Sequence, residues 1–483
     1  MKKYSKLKNN FTSREKALEI FEYAVKNVPA YKKFLREYGV KPEKIIKTKN
    51  FEGIPVTNKE NYLRSSNPFD LVPNGKFPPM VSASSGSSGK QYYWPRGDEQ
   101  ETLGGEMHRI IIEDIFKLHK KCTLAIICFS MGNWIAGTFT LASLREVARK
   151  NKNLELTTIT PGIDKDDAIM TLRDFAPFFE SVILIGYPPF LMDVILGAKE
   201  SGINLKKLDL HFILAGENFS EKWRSMLLKI AGNGGGLNRS VSIYGTADAG
   251  SLGHENPFTV MLRKLAGDHK EFKKELFGEI SFIPTVVAYY PNQIFFELIN
   301  GELVFTVKSG IPLVRYNIKD RGLLLSNKYV FSVLKRHKLE RHLPKDLKKW
   351  RNPLIVLKGR NDVSVTFYAL NIYPENLKAG LEDDSALSLV TGKYVARTEH
   401  SKDFREQKFH IDIELKPYIA PAKKIEKIVS DAVFKHLIRL NTEYRKLYRS
   451  IHDKALPIIN LVPYDHEQFI SKKGKHRWFR KNQ

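Results

Sequence analysis

The sequence predicts an α/β protein: a large N-terminal domain around a mostly parallel, covered sheet, a β-rich subdomain after it, and a small α+β domain at the C-terminal end. Two observations carry that class. Short apolar runs, CTLAIICFS, LELTTITP, SVILIGYP, LDLHFILAGE and VSIYGTAD, alternate with amphipathic stretches such as GTFTLASLREVARK, DDAIMTLRDFAPFF and EKWRSMLLKIAG. Strands buried on both faces read as continuous apolar runs, and helices returning between them make the sheet parallel. From about Ile294 the pattern changes to FFELINGELVFT, where Asn300-Gly301 is the strongest short hairpin signal in the chain.

Taken in order, residues Phe11 to Tyr38 place Ala17, Ile20, Phe21, Ala24, Val25 and Val28 at helical spacing behind Thr12 or Ser13 and Glu15, which predicts one N-terminal helix or two. Pro55, Pro68, Pro73, Pro78 and Pro79 mark a turn-rich approach to Ser82-Ala83-Ser84-Ser85-Gly86-Ser87-Ser88-Gly89-Lys90, and the helix-like stretch Asp98 to Leu118 follows. Glycines let a backbone turn its N–H groups inward, and hydroxyls with one ammonium add donors. The run therefore suits a polyanion such as a nucleotide phosphate, or else is a flexible surface loop. It is not of the Walker type, since Ser84 and Gln91 stand where that pattern needs glycine and Ser or Thr. Ligands in parallel sheets gather at the carboxyl ends of strands, so this loop and the strand ends can share one crevice. Farther on, KRHKLERHLPKDLKKWR has eight basic and two acidic residues and reads as a solvated insertion. After LIVLKGRND, strand-like VSVTFYA, FHIDIEL and LPIINLVP enclose the amphipathic AKKIEKIVSDAVFKHLIRL, which makes the small α+β domain.

Bulk properties narrow the function classes. A chain of 483 residues with 42% hydrophobic content can bury a sizeable core, and a net charge of +25 spread over its whole length is a solubility feature as often as a nucleic-acid footprint. Cys122 and Cys128, the two cysteines, both lie in one apolar run, so neither a disulfide framework nor a zinc cluster is indicated, and a reducing cytoplasm is expected. The charges of FTSREKALEI break the apolar core a signal peptide would need, and no run of eighteen apolar residues appears, so no membrane span is expected.

Further stretches recur in a fixed order: AGE at Ala215 to Glu217, YGTADAG at Tyr244 to Gly250, GELVFT, LVRYNIKDRG at Leu313 to Gly322, KGRND at Lys358 to Asp362, and Gly474-Lys475. With the Ser/Gly/Lys run they resemble the acyl-adenylate-forming (AMP-binding) superfamily, most closely its phenylacetate-CoA ligase-like branch, over about residues 50 to 480. The resemblance implies an adenylate-forming fold, with residues 1–357 as the large domain, 358–362 as a hinge and 363–483 as a small mobile domain.

It also implies roles. Ser84, Ser85, Gly86, Ser87, Ser88, Gly89 and Lys90 would handle the β- and γ-phosphates of ATP. Gly216, Glu217, Tyr244 and Gly245 would bracket the adenine, Thr246 would bond the α-phosphate, and Asp248, where the family usually has Glu, would hold Mg²⁺. Ordinary core for Tyr244 and a helix N-cap for Asp248 are the alternatives. Asp320 matches the acceptor of both ribose hydroxyls, although the usual Arg-Thr-Gly before it is here Asn317-Ile318-Lys319. Arg360 resembles the nucleotide-contacting arginine and Asp362 the hinge; a surface ion pair is the alternative for both. Lys475, favoured over Lys473 and Lys472 by its Gly-Lys pair, matches the lysine that offsets charge during adenylation. Phe129, Trp134, Gly137, Tyr187 and Pro188 would line an acid pocket, implying an aromatic or otherwise apolar carboxylic acid, unless they are simply core.

The implied activity is ATP- and Mg²⁺-dependent formation of acyl-AMP with release of pyrophosphate, then transfer of the acyl group to a thiol, with CoA as the expected acceptor. Two other readings stand beside it. Ala369 replaces a family glycine along the pantetheine path, which together with the altered Asn317 to Lys319 loop leans toward a non-CoA acceptor: a cofactor, a saccharide precursor or a protein. The +25 charge and the basic tail SKKGKHRWFRKNQ suggest instead a catalytically silent binder of RNA or anionic surfaces, against which stand Lys90, Thr246, Asp320, Arg360 and Lys475 together.

Overall fold

The computed structural model describes residues 13–83, 92–133, 135–151, 153–280, 282–344, 346–347, 350–360, 365–368, 370–400 and 407–469. The strands in chain order are β1 (Met80–Ala83), β2 (Tyr93–Arg96), β3 (Thr123–Cys128), β4 (Leu156–Ile159), β5 (Ser181–Gly186), β6 (Leu210–Ala215), β7 (Ser240–Thr246), β8 (Gly250–His254), β9 (Thr285–Ala288), β10 (Ile294–Ile299), β11 (Glu302–Val307), β12 (Leu313–Leu325), β13 (Leu354–Arg360), β14 (Val365–Phe367), β15 (Leu370–Ile372), β16 (Val390–His400), β17 (Gln407–Leu415) and β18 (Ile458–Val462). Contacts divide the chain into two compact units. The first comprises Met1–Asn218, Leu227–Phe277 and Pro284–Lys358; the second comprises Gly359–Gln483 with Phe219–Met226 and Gly278–Ile283.

An eleven-stranded sheet in the order β10-β11-β12-β13-β9-β8-β7-β6-β5-β3-β4 organises the first unit. Its β4, β3, β5, β6 and β7 run parallel. Every residue of β3 (TLAIIC) and β5 (SVILIG) is buried, because helices such as Ile135–Lys150 and Pro188–Glu200 return over the faces of these strands. At β7 the direction changes: β8 pairs antiparallel with it, and β9 antiparallel with β8 and β13. The β-rich stretch is therefore the far half of the same sheet rather than a layer of its own. Its hairpin turns where the sequence predicts, with Asn300 and Gly301 at φ 52° and 80°, the paired left-handed residues of a tight two-residue turn.

Two N-terminal helices form, Ser13–Asn27 and Pro29–Glu37, the break falling where Pro29 begins the second. Their apolar faces, with Phe21, Tyr31 and Phe34, share one core with Tyr62, Leu303, Phe305 and Tyr316. This packing carries the next segment onto β12. Arg315 donates to the Glu52 carbonyl at 2.7 Å, bonds the Ile54 carbonyl and pairs with Glu297. Thr57 then lies beside Tyr316 as a one-residue parallel bridge, its hydroxyl donating to Val314 O at 2.8 Å.

The basic segment near residue 340 differs from its expectation as a wholly solvated insertion. Leu339, Leu343 and Leu347, four residues apart, are buried, so its polar residues ride on a short apolar anchor.

In the second unit, β16, β17 and β18 make a three-stranded sheet, antiparallel then parallel, with the helix Lys423–Leu440 contributing buried Val429, Val433 and Leu437. β14 and β15 form a separate hairpin. Among the described residues no helix is long and apolar enough to cross a membrane.

Candidate active site

The carboxyl ends of four neighbouring parallel strands bring the expected residues into one row. Phe129 follows β3, Tyr187 and Pro188 follow β5, Gly216 and Glu217 follow β6, and Tyr244 to Thr246 end β7, with Asp248 in the turn to β8. The row spans the point between β3 and β5 where the strand order reverses, the place at which such sheets present ligand crevices.

Side chains tie the row together. The Tyr187 hydroxyl donates to the Glu217 carboxylate. Gly216 stands at φ 94°, a backbone that favours glycine, and a Cβ there would lie 3.5 Å from the Tyr187 ring. The residues expected at the acid and at the adenine are thus in contact. Phe129, Tyr187, Pro188 and Gly137 are buried. Gly137 sits so close to the strand end that a Cβ would come 2.5 Å from Ser130 O and 2.6 Å from the Met131 sulfur.

At β7 the hairpin is tight. A bulge separates Tyr244 from Gly245, and a Cβ on Gly245 would stand 2.9 Å from the Gly250 carbonyl oxygen. The Thr246 hydroxyl oxygen accepts from Ala249 N–H at 3.0 Å, which orders the turn and leaves the hydroxyl proton to be donated elsewhere. Tyr244 is buried and donates to an Asp320 carboxylate oxygen at 2.7 Å.

The altered loop before Asp320 is accommodated locally. Lys319 occupies the left-handed region at φ 67°, and its N–H donates to the Asn317 side-chain oxygen at 2.6 Å. The Asn317 side chain thus supplies the hydrogen bond that holds this turn.

Asp248 is buried and fully engaged. One carboxylate oxygen accepts the Tyr316 hydroxyl at 2.7 Å, and the other faces Lys59 Nζ at 3.3 Å. Mg²⁺ favours bare carboxylate oxygens in a near-octahedral shell. Both oxygens of Asp248 are thus met by protein groups in this structure, one by a phenol and one by an ammonium.

Lys59, Tyr316 and Arg96 are the neighbours that the sequence reading did not single out. Lys59 opens the helical turn Lys59–Leu63, fixed by a reciprocal cap: Asn58 Oδ1 accepts from Asn61 N–H at 2.9 Å and Asn61 Oδ1 from Asn58 N–H at 2.7 Å. The Asn-Lys-Glu-Asn string after Pro-Val-Thr is the signal that marks this turn. Arg96 ends β2, is 1% exposed and donates to the Ala247 carbonyl. Burial draws its pKa down to about 9, against the pull of Asp248. Burial first and then Asp248 push the Tyr92 phenol up to about 12.

Several expected residues lie outside the described ones: Ser84, Ser85, Gly86, Ser87, Ser88, Gly89, Lys90, Trp134, Asp362, Ala369 and Lys475. Arg360 is described only as the last residue of β13.

No protein-family profile matches the chain. It is 23% identical over 452 residues to the phenylacetate-coenzyme A ligase of Thermus thermophilus, across 91% of this chain and 89% of that protein. It is 23% identical over 367 residues to a phenylacetate-coenzyme A ligase of Aromatoleum evansii, across 74% of this chain and 71% of that protein. Among solved structures it resembles a 2-hydroxyisobutyryl-CoA ligase in the postadenylation state in complex with R3-HIB-AMP, with a TM-score of 0.66 at 15% identity, covering 97% of this chain and 89% of the other. The chain has the fold of the acyl-adenylate-forming CoA ligases.

Proposed function

We propose that this protein is an acid–thiol ligase that activates a carboxylic acid with ATP and passes the acyl group to CoA. The acid's carboxylate oxygen attacks the α-phosphorus, a P–O bond forms, and the bond to pyrophosphate breaks. The thiolate then attacks the acyl carbon, forming the thioester and releasing AMP. The observation that carries this reading is the row of strand-end residues from Phe129 to Thr246, joined through Tyr244 to Asp320, in a chain that matches phenylacetate-coenzyme A ligases over most of its length.

Roles follow from chemistry. The Tyr244 ring supplies an apolar face for adenine, and Asp320, positioned by Tyr244, is the acceptor for the ribose diol. The Thr246 hydroxyl, its oxygen satisfied by Ala249, donates to the α-phosphate. Ser84 to Lys90 hold the distal phosphates, Lys475 neutralises charge on the attacked phosphorus, Arg360 contacts the nucleotide and Asp362 serves as the hinge, by resemblance to the family. Phe129, Gly137 and Tyr187 form the acid pocket. Among its described residues Phe129, Gly137 and the Tyr187 ring are apolar and the Tyr187 hydroxyl is taken up by Glu217, so an apolar acid body is favoured there.

The test is pyrophosphate release from ATP and Mg²⁺ across a panel of aryl, fatty and hydroxy acids, with and without CoA. Acid-dependent release that yields an acyl-CoA on addition of CoA is the expected result. Release without a CoA product selects another acceptor, and silence across the panel overturns the reading.

A further inference from the structure

Two cations and a carboxylate meet at the turn after β7 in an arrangement that the adenylation roles leave unexplained. Arg96 is 1% exposed, yet among the described residues its Nε and Nη1 have no hydrogen-bond partner, while Nη2 bonds the Ala247 carbonyl. Buried N–H groups without acceptors are costly, and a guanidinium presents them in a planar fork suited to phosphate. Beside it, Lys59 faces Asp248 at 3.3 Å and lies 5.5 Å from the centre of the Trp94 ring. Its side chain is 34% exposed where that of Asp248 is 6% exposed, so the ammonium is reachable and the carboxylate behind it is not. Trp94 and Arg96 belong to β2, which pairs with β1 in the hairpin whose connecting segment is the Ser/Gly/Lys run. Both cations are thereby carried by the elements that flank the expected phosphate loop.

We propose that Lys59, with the buried charge of Arg96 behind it, forms a built-in cationic site for the phosphate oxygens of the nucleotide, and that Asp248 is the positioning carboxylate that holds Lys59 there rather than an inner-sphere ligand of Mg²⁺. The identity of the ligand rests on the adenylation reading. The chemistry is that of charge-assisted hydrogen bonds: two fixed positive charges meet an anion whose own charge otherwise needs a metal. Tyr316 secures the far oxygen of Asp248, so the carboxylate keeps its place while the ammonium engages phosphate. Divalent metal is then the counter-ion of ATP and not resident in the protein.

Calorimetric binding of inorganic pyrophosphate and of ATP in EDTA tests this on the full chain. The unaltered protein is expected to bind pyrophosphate without divalent metal. Lys59→Met and Arg96→Met are each expected to weaken that binding about tenfold or more, and Lys59→Arg to retain it. Thermal melts confirm that each variant is folded; Lys59, partly exposed, is the substitution the fold best tolerates. Binding of pyrophosphate only with Mg²⁺, or metal-free binding that Lys59→Met leaves unchanged, overturns the proposal. Metal-free binding lost in Lys59→Met, in a protein that releases no pyrophosphate with any acid, keeps this site and removes the ligase reading instead.

Discussion

Tyr244 donates its hydroxyl to Asp320 at 2.7 Å, joining the end of β7 to the middle of β12. The ring expected against adenine and the carboxylate expected at the ribose are thus positioned by one another. Tyr244→Phe keeps the aromatic face and removes only the bond. We expect a loss of about 1 kcal/mol in stability and a KM for ATP raised about fivefold, with kcat little changed. Denaturant melts and steady-state kinetics report the two effects separately, and an unchanged KM would dissociate Asp320 from nucleotide binding.

Lys319 holds a left-handed backbone at φ 67° without glycine's freedom. Lys319→Gly relieves that strain and adds unfolded-state entropy, a net gain of about 0.5–1 kcal/mol. Asn317→Ala, which removes the 2.6 Å bond to the Lys319 N–H, is expected to destabilise by about 1 kcal/mol. Urea midpoints at constant slope measure both.

Gly137 has no room for a methyl group beside Ser130 and Met131. Gly137→Ala pushes the strand end that carries Phe129, at a cost of about 1–3 kcal/mol. If Phe129 lines the acid pocket, the KM for the acid rises while nucleotide binding in the absence of acid is unchanged. Equal loss of both would show a general distortion.

Glu375 has its pKa pushed up to about 6 by burial, and a Cβ on Gly359 would stand 3.0 Å from one of its carboxylate oxygens. The folded state binds this proton more tightly than the unfolded chain does. Its contribution is therefore full below about pH 4.5 and lost as the pH rises through about 6, a fall of up to ~2 kcal/mol. Glu375→Gln is expected to remove that fall. Stability of the variant relative to the unaltered protein should rise between pH 4.5 and 6.5, as chemical denaturation at each pH will show; a flat difference would contradict it.

Much of the fold is legible in the chain. The all-apolar runs of β3, β5 and β6 announce a parallel, covered sheet, Asn300-Gly301 announces its hairpin, and Pro29 splits the N-terminal helices. Each is a local signal, because burial on two faces, paired left-handed residues and a missing N–H act within a few positions. β8 and β9 carry no legible strand signal, since GSLGH is glycine-rich and TVVA too short to show a period, and β16 hides behind the alternating charges of KYVARTEH. Motif order likewise places Phe129, Tyr187, Glu217, Thr246 and Asp248 at strand ends, because strand ends are themselves local features. Their partnerships were decided elsewhere. That Asp248 meets Lys59 and Tyr316, that Arg96 is buried with N–H groups unmet, and that the β-rich stretch extends the main sheet through β9 and β13 all depend on segments brought together by a shared apolar core. Apolar burial is non-directional: it fixes which faces pack but leaves no mark beside Lys59 or Arg96 to show which carboxylate or carbonyl each will meet.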